Sequence, residues 1–541
     1  MGSKTLGDDD SEQTPPIDPS PSTTRHAMSF VFDTFDQALN LVGSFGSYHV
    51  GFIIIYQIAI LVWCGNYVFM AYATYHPQVT CTLDDGTEIV MHNRSEAGRF
   101  CPFYERGNCT ELYWKAPFKT IIEEWSLICA RDMVPQIINS VQISGTFVAL
   151  SLTGPLSDML GRKLVFCVSL AMLMVATFCS ILSPNWIFFA VFRFFVGGLL
   201  SSNTAVLCVW GMELTDNKHN VIVNIAGGWQ FAYIITAVMA YLSYQWNTYL
   251  LVLCLIGLPL CVIYPFCIES PRWQVQNGQL DEAAKSLTRL GSQQGLQGQI
   301  ERQNLSRIPF ETHSEAKRGY LSLFSSRQLT IYTIVLSIGV FATAGAANAY
   351  IFQVTQLSGS PFIKFILYGG LRIIVPVLIY LLDSKTEWFG RRHMMLIPMA
   401  LVALFYATAT VVKFLPDQKH WEDLESYLML AGAVTCNALW VALAQFTVEL
   451  YPTVMRNTAF SFTAFFDPIA GVLMPQLVYL EKFWPALLVL VATSLAVISF
   501  VASFIYLPET TPPPPPTLDE MDCQIIFIYI STAHHRGFRG G

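Results

Sequence analysis

Charge is scarce in this chain. Asp, Glu, Lys and Arg make up 13% of its 541 residues, whereas about 25% is usual for soluble domains. Hydrophobic residues account for 53%, and the mean hydropathy is +0.45. This composition excludes an ordinary soluble protein. The net charge of −7 adds little, because the acidic residues concentrate in the N-terminal tail and in one long loop.

Several chemical signatures are also missing. No Lys/Arg-rich tract suggests a nucleic-acid partner, and the N-terminus lacks the basic-then-apolar pattern of a cleaved signal peptide. No zinc-spaced Cys/His cluster, nucleophile elbow or Walker loop is present. We therefore expect no enzyme, no metal and no cofactor. Without a site for ATP, any transport must follow gradients or the membrane potential.

What the chain does contain is a series of apolar runs of about 20 residues, the length that crosses a bilayer as a helix. Their number predicts an all-α membrane protein with twelve transmembrane helices. The runs lie near residues 50–73, 134–154, 164–182, 186–207, 221–243 and 249–267, and then near 329–352, 361–382, 394–414, 427–448, 458–480 and 484–507.

These runs divide the chain into segments. We predict a disordered cytoplasmic tail, a first six-helix half with a large extracellular loop, a cytoplasmic central loop, a second six-helix half and a Pro-rich cytoplasmic tail. In the same order, the segments are 1–29, 30–268 with the loop 74–132, 269–327, 328–508 and 509–541.

Two signals set the orientation. Lys and Arg are abundant in 269–327, which marks the cytoplasmic side of a membrane protein. The loop 74–132 instead contains two glycosylation sequons, at Asn93 and Asn108, and four cysteines, which are typical of an oxidising exterior. Four cysteines allow three disulfide connectivities. We expect two disulfides among Cys81, Cys101, Cys109 and Cys129.

An internal repeat relates the two halves. The turn "GPLSDMLGRK" (154–163) shares the pattern acid-x-x-Gly-Arg-base with "EWFGRR" (387–392), 229 residues later. The acidic residue of "GMELTDNKH" matches that of "VELYPTVMRN", and "IESPRW" matches "LPETTP", at nearly the same offset. Three pairs in register indicate two six-helix pseudo-repeats, the plan of the major facilitator fold, in which substrate binds between the halves near the midplane.

A charged turn between two spans suggests a latch at the cytoplasmic mouth, since partly buried ion pairs can hold one conformation and still separate. The alternative is that the basic residues only anchor the topology, which we favour for Lys163 and Arg392. The predicted gate residues are Asp158, Gly161, Arg162, Arg193 and Glu213 in the first half, and Glu387, Gly390, Arg391, Glu449 and Arg456 in the second.

The motifs together resemble one family, the organic cation, anion and zwitterion transporters of solute carrier family 22. The resemblance covers about residues 33–511 and includes the cysteine-bearing loop. It implies an alternating-access carrier of small organic ions, working as a facilitator or exchanger in the plasma membrane. Two departures are Met159, where the family usually has Arg, and the C-terminal tail. The motifs are "FDQALNLVGSFGSYH", "SLIC", "GPLSDMLGRK", "FRFFVGG", "IESPRWQVQNGQLDEAAK", "VELYPTVMRN" and "YLPET".

Two intramembrane charges mark the expected substrate site, because ionisable groups are costly in a bilayer. They are Arg372 and Asp467. The resemblance implies an acidic residue in cation carriers, and a basic one in anion carriers, at the position twelve residues after Arg456. That position holds Pro468, and Asp467 lies one residue before it. On a helix, one residue changes the direction of the side chain by about 100°. Arg372 could pair with Asp467, or face the cavity and attract a carboxylate.

Further candidates for the substrate site are aromatic rings, which can hold organic cations, and buried amides. Each ring taken singly is more often a packing or interface residue than a ligand contact. We expect a carrier of organic cations or carnitine-like zwitterions; an organic anion carrier or a non-transporting relative stays open, as does the oligomeric state. The candidates are Trp210, Gln230, Tyr233 and Gln445, with Trp229, Tyr350, Phe352 and Trp440 as further possible walls.

Overall fold

The computed structural model is a helical bundle. It describes residues 32, 35–42, 45–83, 87–91, 96–215, 228–293, 300, 302–305, 320–354, 357, 360–385, 390–415, 418–451 and 453–508. The predictions for the two tails and for Asn93 and Glu387 lie outside these residues, and the side chain of Arg456 is also outside the description.

The first half combines long helices with a small β-sheet. Its elements are α1 (Phe35–Val42), α2 (Ser47–Ala73), β1 (Gln78–Leu83), β2 (Glu88–Met91), α3 (Ala97–Glu105), β3 (Cys109–Lys115), α4 (Ile121–Glu124), α5 (Val134–Leu160), α6 (Arg162–Ile181), α7 (Trp186–Leu214), α8 (Gln230–Ser243) and α9 (Trp246–Ile263).

Two short helices and the second half follow. These elements are α10 (Pro271–Gln276), α11 (Leu280–Gln293), α12 (Arg327–Gln353), α13 (Pro361–Lys385), α14 (Arg391–Lys413), α15 (Gln418–Leu450), α16 (Thr453–Ala464), α17 (Phe466–Leu480) and α18 (Leu487–Tyr506).

Eleven helical segments in the described residues are long and apolar enough to cross a membrane, and α8 is a shorter apolar helix of 14 residues. The start of the predicted fifth span, 221–227, lies outside the description. Lipid cannot hydrogen-bond the backbone, so a chain with runs of this length forms helices that satisfy their own N–H and C=O groups. The predicted eleventh span contains α16 and α17, which are separated only by Phe465, a residue with helical backbone angles.

Polar side chains fix where several spans begin. Asn185 precedes α7, and its Oδ1 accepts hydrogen bonds from the N–H groups of Ile187 and Phe188, both at 3.1 Å. Ser326 caps α12 in the same way through the N–H of Leu329, at 3.2 Å. Such caps satisfy N–H groups that the first turn of a helix leaves without partners.

The bundle has two chemically different ends. The loop end carries residues 74–132, which form the antiparallel sheet β2-β1-β3 and the helix α3. Disulfides join Cys81 to Cys109 and Cys101 to Cys129, with Cα–Cα distances of 5.4 Å in both. These two pairs are one of the three connectivities that the sequence allowed. Asn108 is exposed in the turn that precedes β3.

The basic end carries the start of the central loop. Here α1 packs on α11 through Leu39, Val42 and Leu287, in a small apolar cluster separate from the bundle core. Arg272 on α10 lies over the ring of Phe35, 5.2 Å from its centroid. The helix α1 is thus fastened to the start of the loop that joins the halves.

The halves meet mainly through two helix pairs, α5 with α17 and α8 with α13. At Gly369 the backbones approach so closely that an added Cβ would lie 2.7 Å from the carbonyl oxygen of Gln230. A glycine is required here by the proximity of the partner helix rather than by its own backbone angles.

Candidate functional site

Arg372 lies near the middle of α13, and neutral groups hold its guanidinium. Its Nη1 donates to the Tyr368 hydroxyl at 3.0 Å, and its Nη2 donates to Asn437 Oδ1 at 2.8 Å. The guanidinium also lies over the rings of Tyr233 and Tyr368, 5.2 and 5.1 Å from their centroids. Tyr233 belongs to the first half, so this cation–π contact joins the two halves.

Asp467 lies in the first turn of α17, and its side chain is partly exposed. Within the described part of the chain, its carboxylate has neither an ion-pair nor a hydrogen-bond partner. The structure therefore does not pair Asp467 with Arg372, one of the two arrangements that the sequence left open. An intramembrane carboxylate without a partner is a candidate ligand for a cation.

Tyr67 on α2 lies near both charges. Its ring lies within electrostatic range of both the Asp467 carboxylate and the Arg372 guanidinium. Its hydroxyl donates to Asn348 Oδ1 on α12, a hydrogen bond between the two halves. Asp467, Arg372 and Tyr67 thus form a central site with one unpaired acid and one anchored base.

Counting from Arg456 leads to Pro468, next to Asp467. α16 ends at Ala464 and α17 begins at Phe466, but Phe465 between them keeps helical angles (φ −63°, ψ −22°), so Thr458–Leu480 is one continuous span. Within this span a one-residue offset corresponds to a rotation of about 100°. Pro468, at the counted position, is buried, whereas Asp467 remains partly exposed.

Aromatic rings continue from Tyr67 across the central site. Tyr67 meets Trp229 edge-on at 5.7 Å, and Trp229 lies 6.4 Å from Tyr233. Tyr233 meets Tyr368 at 4.9 Å. Arg372 already lies over the rings of Tyr233 and Tyr368. A substrate cation would therefore bind more readily to the rings of Tyr67 and Trp229. Gln230 follows Trp229 in the chain and is likewise partly exposed.

Two predicted substrate residues are not part of this cluster. Trp210 is fully buried among Phe52, Phe166 and Tyr264, and its indole N–H donates to the carbonyl of Ile268 at 3.1 Å, at the basic end. That prediction was wrong, because the ring is a packing residue that fastens the central loop.

Gln445 is the second of these residues. Its Nε2 donates to Glu449 Oε1 at 2.6 Å, one turn further along α15. The amide therefore belongs to the charged cluster at the basic end and not to the central site. Its position relative to Glu449 on the helix was the signal available in the sequence.

The charged turn of the first half is closely paired. Arg162 contacts Asp158 at 2.6 Å and both oxygens of Glu213 at 3.0 and 3.1 Å. The Arg162 side chain is 7% exposed and that of Glu213 is 12% exposed. A bidentate, largely buried pair of this kind is expensive to break by removing one partner.

The start of the central loop docks on this turn. Glu269 accepts hydrogen bonds from the backbone N–H groups of Lys163 (3.1 Å) and Ser270 (2.9 Å), and the Trp273 indole donates to the Asp158 carbonyl at 2.8 Å. Burial raises the pKa of Glu269, although these N–H groups oppose the rise. Gly161 has φ +96°, which strongly favours glycine.

The second half contains the matching pair, Arg391 Nε with Glu449 Oε1 at 3.3 Å. Its side chains are 23% and 20% exposed, more than in the first half. Gly390 precedes α14 with φ −74°, a value that any residue adopts. The repeat therefore preserves the ion pair but not the backbone conformation of the turn.

Arg193 does not belong to either charged cluster, so its assignment to the cytoplasmic gate was wrong. It is fully buried near the loop end of α7, donates to Gln142 Oε1 (2.9 Å) and the Asn66 carbonyl (2.6 Å), and lies over the Phe69 ring. The reason is the direction of the helix: α7 begins at the loop end, and Arg193 lies in its second turn.

At the loop end, polar contacts join the halves. Asp132 and Lys482 form an ion pair at 3.6 Å. Gln476 Nε2 donates to Ser140 Oγ (2.8 Å) and to the Gln136 carbonyl (3.2 Å). These contacts lie on the loop-end side of the central site, whereas the Tyr67–Asn348 bond described above joins the halves at the site itself. The charged pairs at the basic end, Arg162–Glu213 and Arg391–Glu449, in contrast each join helices of one half.

Sequence reasoning missed Asn348, Asn437 and Tyr67. Intramembrane amides are rare enough to be noticed, and Asn437 in "TCNALW" could have been found on that ground. Nothing local distinguishes Tyr67 from the other 22 tyrosines, because its role comes from a partner 281 residues away.

Known proteins share both sequence and fold with this chain. Residues 43–520 match the family described as "Sugar (and other) transporter". The chain is 27% identical over 440 residues to solute carrier family 22 member 6-A of Xenopus laevis, covering 77% of this chain and 75% of that protein. It is also 27% identical to the human organic cation/carnitine transporter 2, over 74% of this chain and 72% of that protein.

Among solved structures, the xylose transporter XylE from E. coli, in a partially occluded inward-open conformation, matches with a TM-score of 0.60. The match covers 87% of this chain and 100% of that one at 12% identity, so it concerns the fold alone. It confirms the predicted major facilitator fold. The family match and the similar relatives make the protein a multi-pass membrane transporter and not an enzyme. The chain belongs to the sugar (and other) transporter family, within the major facilitator superfamily, and is similar to solute carrier family 22.

Proposed function

We propose that this protein carries small organic cations or zwitterions across the plasma membrane by alternating access, with Asp467 as the counter-ion of the substrate. The observation behind the proposal is the partly exposed carboxylate of Asp467, which has no partner among the described residues. An unpaired intramembrane acid is unfavourable unless a ligand compensates it during the working cycle.

Arg372 narrows the choice of substrate. Tyr368 and Asn437 hold its guanidinium, and none of the groups that bond it carries a negative charge. A zwitterion could therefore place its cationic group near Asp467 and direct its carboxylate towards Arg372. The name of one relative, organic cation/carnitine transporter 2, is consistent with this class. A simple cation would use Asp467 and the nearby rings of Tyr67 and Trp229.

The contacts at the two ends support a cycle in which the halves separate alternately. Asp132–Lys482 and the Gln476 hydrogen bonds would close the loop end in the conformation described here. The pairs Arg162–Glu213 and Arg391–Glu449 would then keep each half rigid at the basic end, and take part in closing that end when the halves rock. We also expect a glycan on Asn108, which would place the loop end outside the cell.

The test is uptake by cells that express the protein, with three labelled probes: a quaternary ammonium, an aryl anion and carnitine. Saturable uptake of the ammonium or of carnitine supports the proposal, whereas uptake of the anion alone would make it an anion carrier. Uptake of none, with the protein at the surface, would favour a non-transporting relative. Repetition in depolarised cells separates uniport driven by the membrane potential from exchange.

Asp467→Asn tests the counter-ion. Opposite charges 4 Å apart interact by about 4 kcal/mol at an effective dielectric constant near 20. Because Asp467 is partly exposed, we take about half of this, or a roughly 30-fold increase in KM for a cationic probe. Asp467→Glu should retain part of the affinity, and Glu422→Gln, at an exposed acid on α15, should behave like the wild type. Unchanged cation uptake by Asp467→Asn at equal surface expression would refute the assignment.

A further inference from the structure

A second group of buried charges lies in the second half at the loop end, apart from the central site. Lys413, at the end of α14, contacts Glu425 on α15 at 3.1 Å and Glu481, just after α17, at 3.3 Å. The side chains of Lys413, Glu425 and Glu481 are 13%, 12% and 9% exposed. Two carboxylates thus share one ammonium in a largely buried place.

The remaining contacts of this acid–base cluster (Lys413, Glu425 and Glu481) come from neighbouring helices. Gln353, the last residue of α12, donates its Nε2 to Glu481 Oε2 at 2.8 Å, and the Pro485 carbonyl accepts from Lys413 at 2.9 Å. The Gln353 Oε1 is buried without a hydrogen-bond partner. If Glu481 is protonated, its carboxyl O–H is a donor that this oxygen could accept.

Other charged groups nearby act mainly on Glu425. Lys364 on α13 is buried, its Nζ has no hydrogen-bond partner, and it faces Asp423 and Glu425. Glu422 lies one turn before Glu425 on α15 and repels it. Glu481 itself is affected by Lys413, which favours its charged form, and by Glu425, which opposes that form. Burial has the largest effect and raises the pKa of Glu481 to about 7.

Glu481 lies next to the contact between the halves, although Gln353, Lys413 and Glu425 around it all belong to the second half. The next residue, Lys482, forms the ion pair with Asp132 of the first half, and Gln476 on the preceding turn bonds Ser140. The first half therefore contacts this end of α17 on both sides of Glu481. Separation of the halves would admit water to Glu481 and remove the burial that makes its charge unfavourable.

We propose that Glu481, with Lys413 and Glu425, is a proton-binding site that holds a proton while the loop end is closed and releases it when that end opens. The ligand is a proton rather than a metal ion, because the Lys413 ammonium already lies between the two carboxylates. The proposal rests on the alternating-access part of the proposed function, but not on the substrate or on Asp467.

The direction of the effect follows from linkage. The closed state binds the proton more tightly, so it is favoured below about pH 7, where Glu481 is protonated. Above that pH the proton is lost, and the preference of this site for the closed state disappears. Acidification at the loop end should therefore stabilise the closed conformation, and by reciprocity, forced opening should lower the proton affinity of Glu481.

Infrared titration of the purified protein in lipid nanodiscs tests both parts without any substrate. The wild type should have a protonated-carboxyl band that disappears with a midpoint near pH 7, and Glu481→Gln should lack it. Glu422→Gln should retain it. Glu481→Asp keeps a carboxyl group and should keep a band with a shifted midpoint, which covers the case in which the glutamine variant does not fold.

Asp132→Asn tests the coupling. Removal of the partner of Lys482 weakens the closed loop end, so the midpoint of the Glu481 band should move towards the ordinary range of Glu, near about 4.3. A wild-type spectrum that lacks the band, or a band unchanged in Glu481→Gln, would overturn the proton site. An Asp132→Asn midpoint equal to that of the wild type would overturn its coupling to opening. Failure of the uptake probes would leave both results interpretable, because neither measurement uses a substrate.

Discussion

Gly161 and Gly390 occupy matching positions in the two charged turns, yet the structure predicts different costs for replacing them by alanine. Gly161 has φ +96° and ψ 157°, a conformation almost confined to glycine, whereas Gly390 has φ −74° and ψ 174°. In Gly161→Ala the new Cβ would also lie 2.9 Å from Glu269 Oε2 and 3.2 Å from the Trp273 ring.

The magnitude has two parts. Backbone strain in that conformation costs about 1–3 kcal/mol. Displacement of the Glu269 carboxylate from the N–H groups of Lys163 and Ser270 would remove a charge-assisted hydrogen bond worth about 1.5–3 kcal/mol. We therefore expect a loss of roughly 4 kcal/mol for Gly161→Ala. The same change at Gly390 causes no such backbone strain, so we expect a smaller loss there than at Gly161.

Gly154 supplies a matched control within the same turn sequence. It lies inside α5, and an added Cβ would meet nothing within 4 Å. Gly154→Ala should therefore be neutral or stabilising by up to about 1 kcal/mol, as expected for the replacement of glycine in a helix.

Thermal unfolding of the purified variants, with surface expression in cells, provides the measurement. We expect Gly161→Ala alone to lower the unfolding temperature clearly and to reduce the amount at the surface. Equal losses for Gly161→Ala and Gly390→Ala would refute the argument from backbone angles. A neutral Gly161→Ala would refute both the strain and the Glu269 contact.

Three further predictions concern other parts of the fold. Trp210→Phe should reduce surface expression, through the lost hydrogen bond to the central loop, and leave the KM of any transported probe unchanged; a raised KM would return Trp210 to the substrate site. Gly369→Ala should reduce uptake by forcing the halves apart, whereas Gly370→Ala, with nothing within 4 Å of its added Cβ, should not; equal effects would contradict this. Mass spectrometry of non-reduced peptides should find Cys81 linked to Cys109, and a different pairing would contradict the loop structure.

The helical spans could be predicted from the sequence because each depends on a local property. A run of about 20 apolar residues must form a helix in lipid, wherever the other runs lie. The repeat of the charged turn was sufficient to indicate two related halves, since it is visible without any knowledge of contacts. The same residues, Arg162 and Glu213, then proved to be ion-pair partners.

Side-chain roles were less predictable where they depend on how far along a span the residue lies and on the direction in which that span crosses the membrane. Arg193 was assigned to the wrong end, although the count of spans already implies that α7 begins at the loop end. Trp210 was placed in the substrate site as an aromatic ring that can hold an organic cation, and Gln445 as a buried amide. Their positions along α7 and α15 instead bring them to Ile268 and Glu449 at the basic end.

The amino-acid sequence by itself determined that this chain is a two-half membrane carrier with a disulfide-bearing loop. Hydropathy, repeated motifs and the number of cysteines can all be read from the sequence without knowledge of which residues are in contact. The tertiary structure decided which cysteines pair, that Arg372 is held by Tyr368, Asn437 and a ring of the opposite half, and that Asp467 has no partner among the described residues. These facts depend on residues far apart in the chain, which only the packing of the helices brings together.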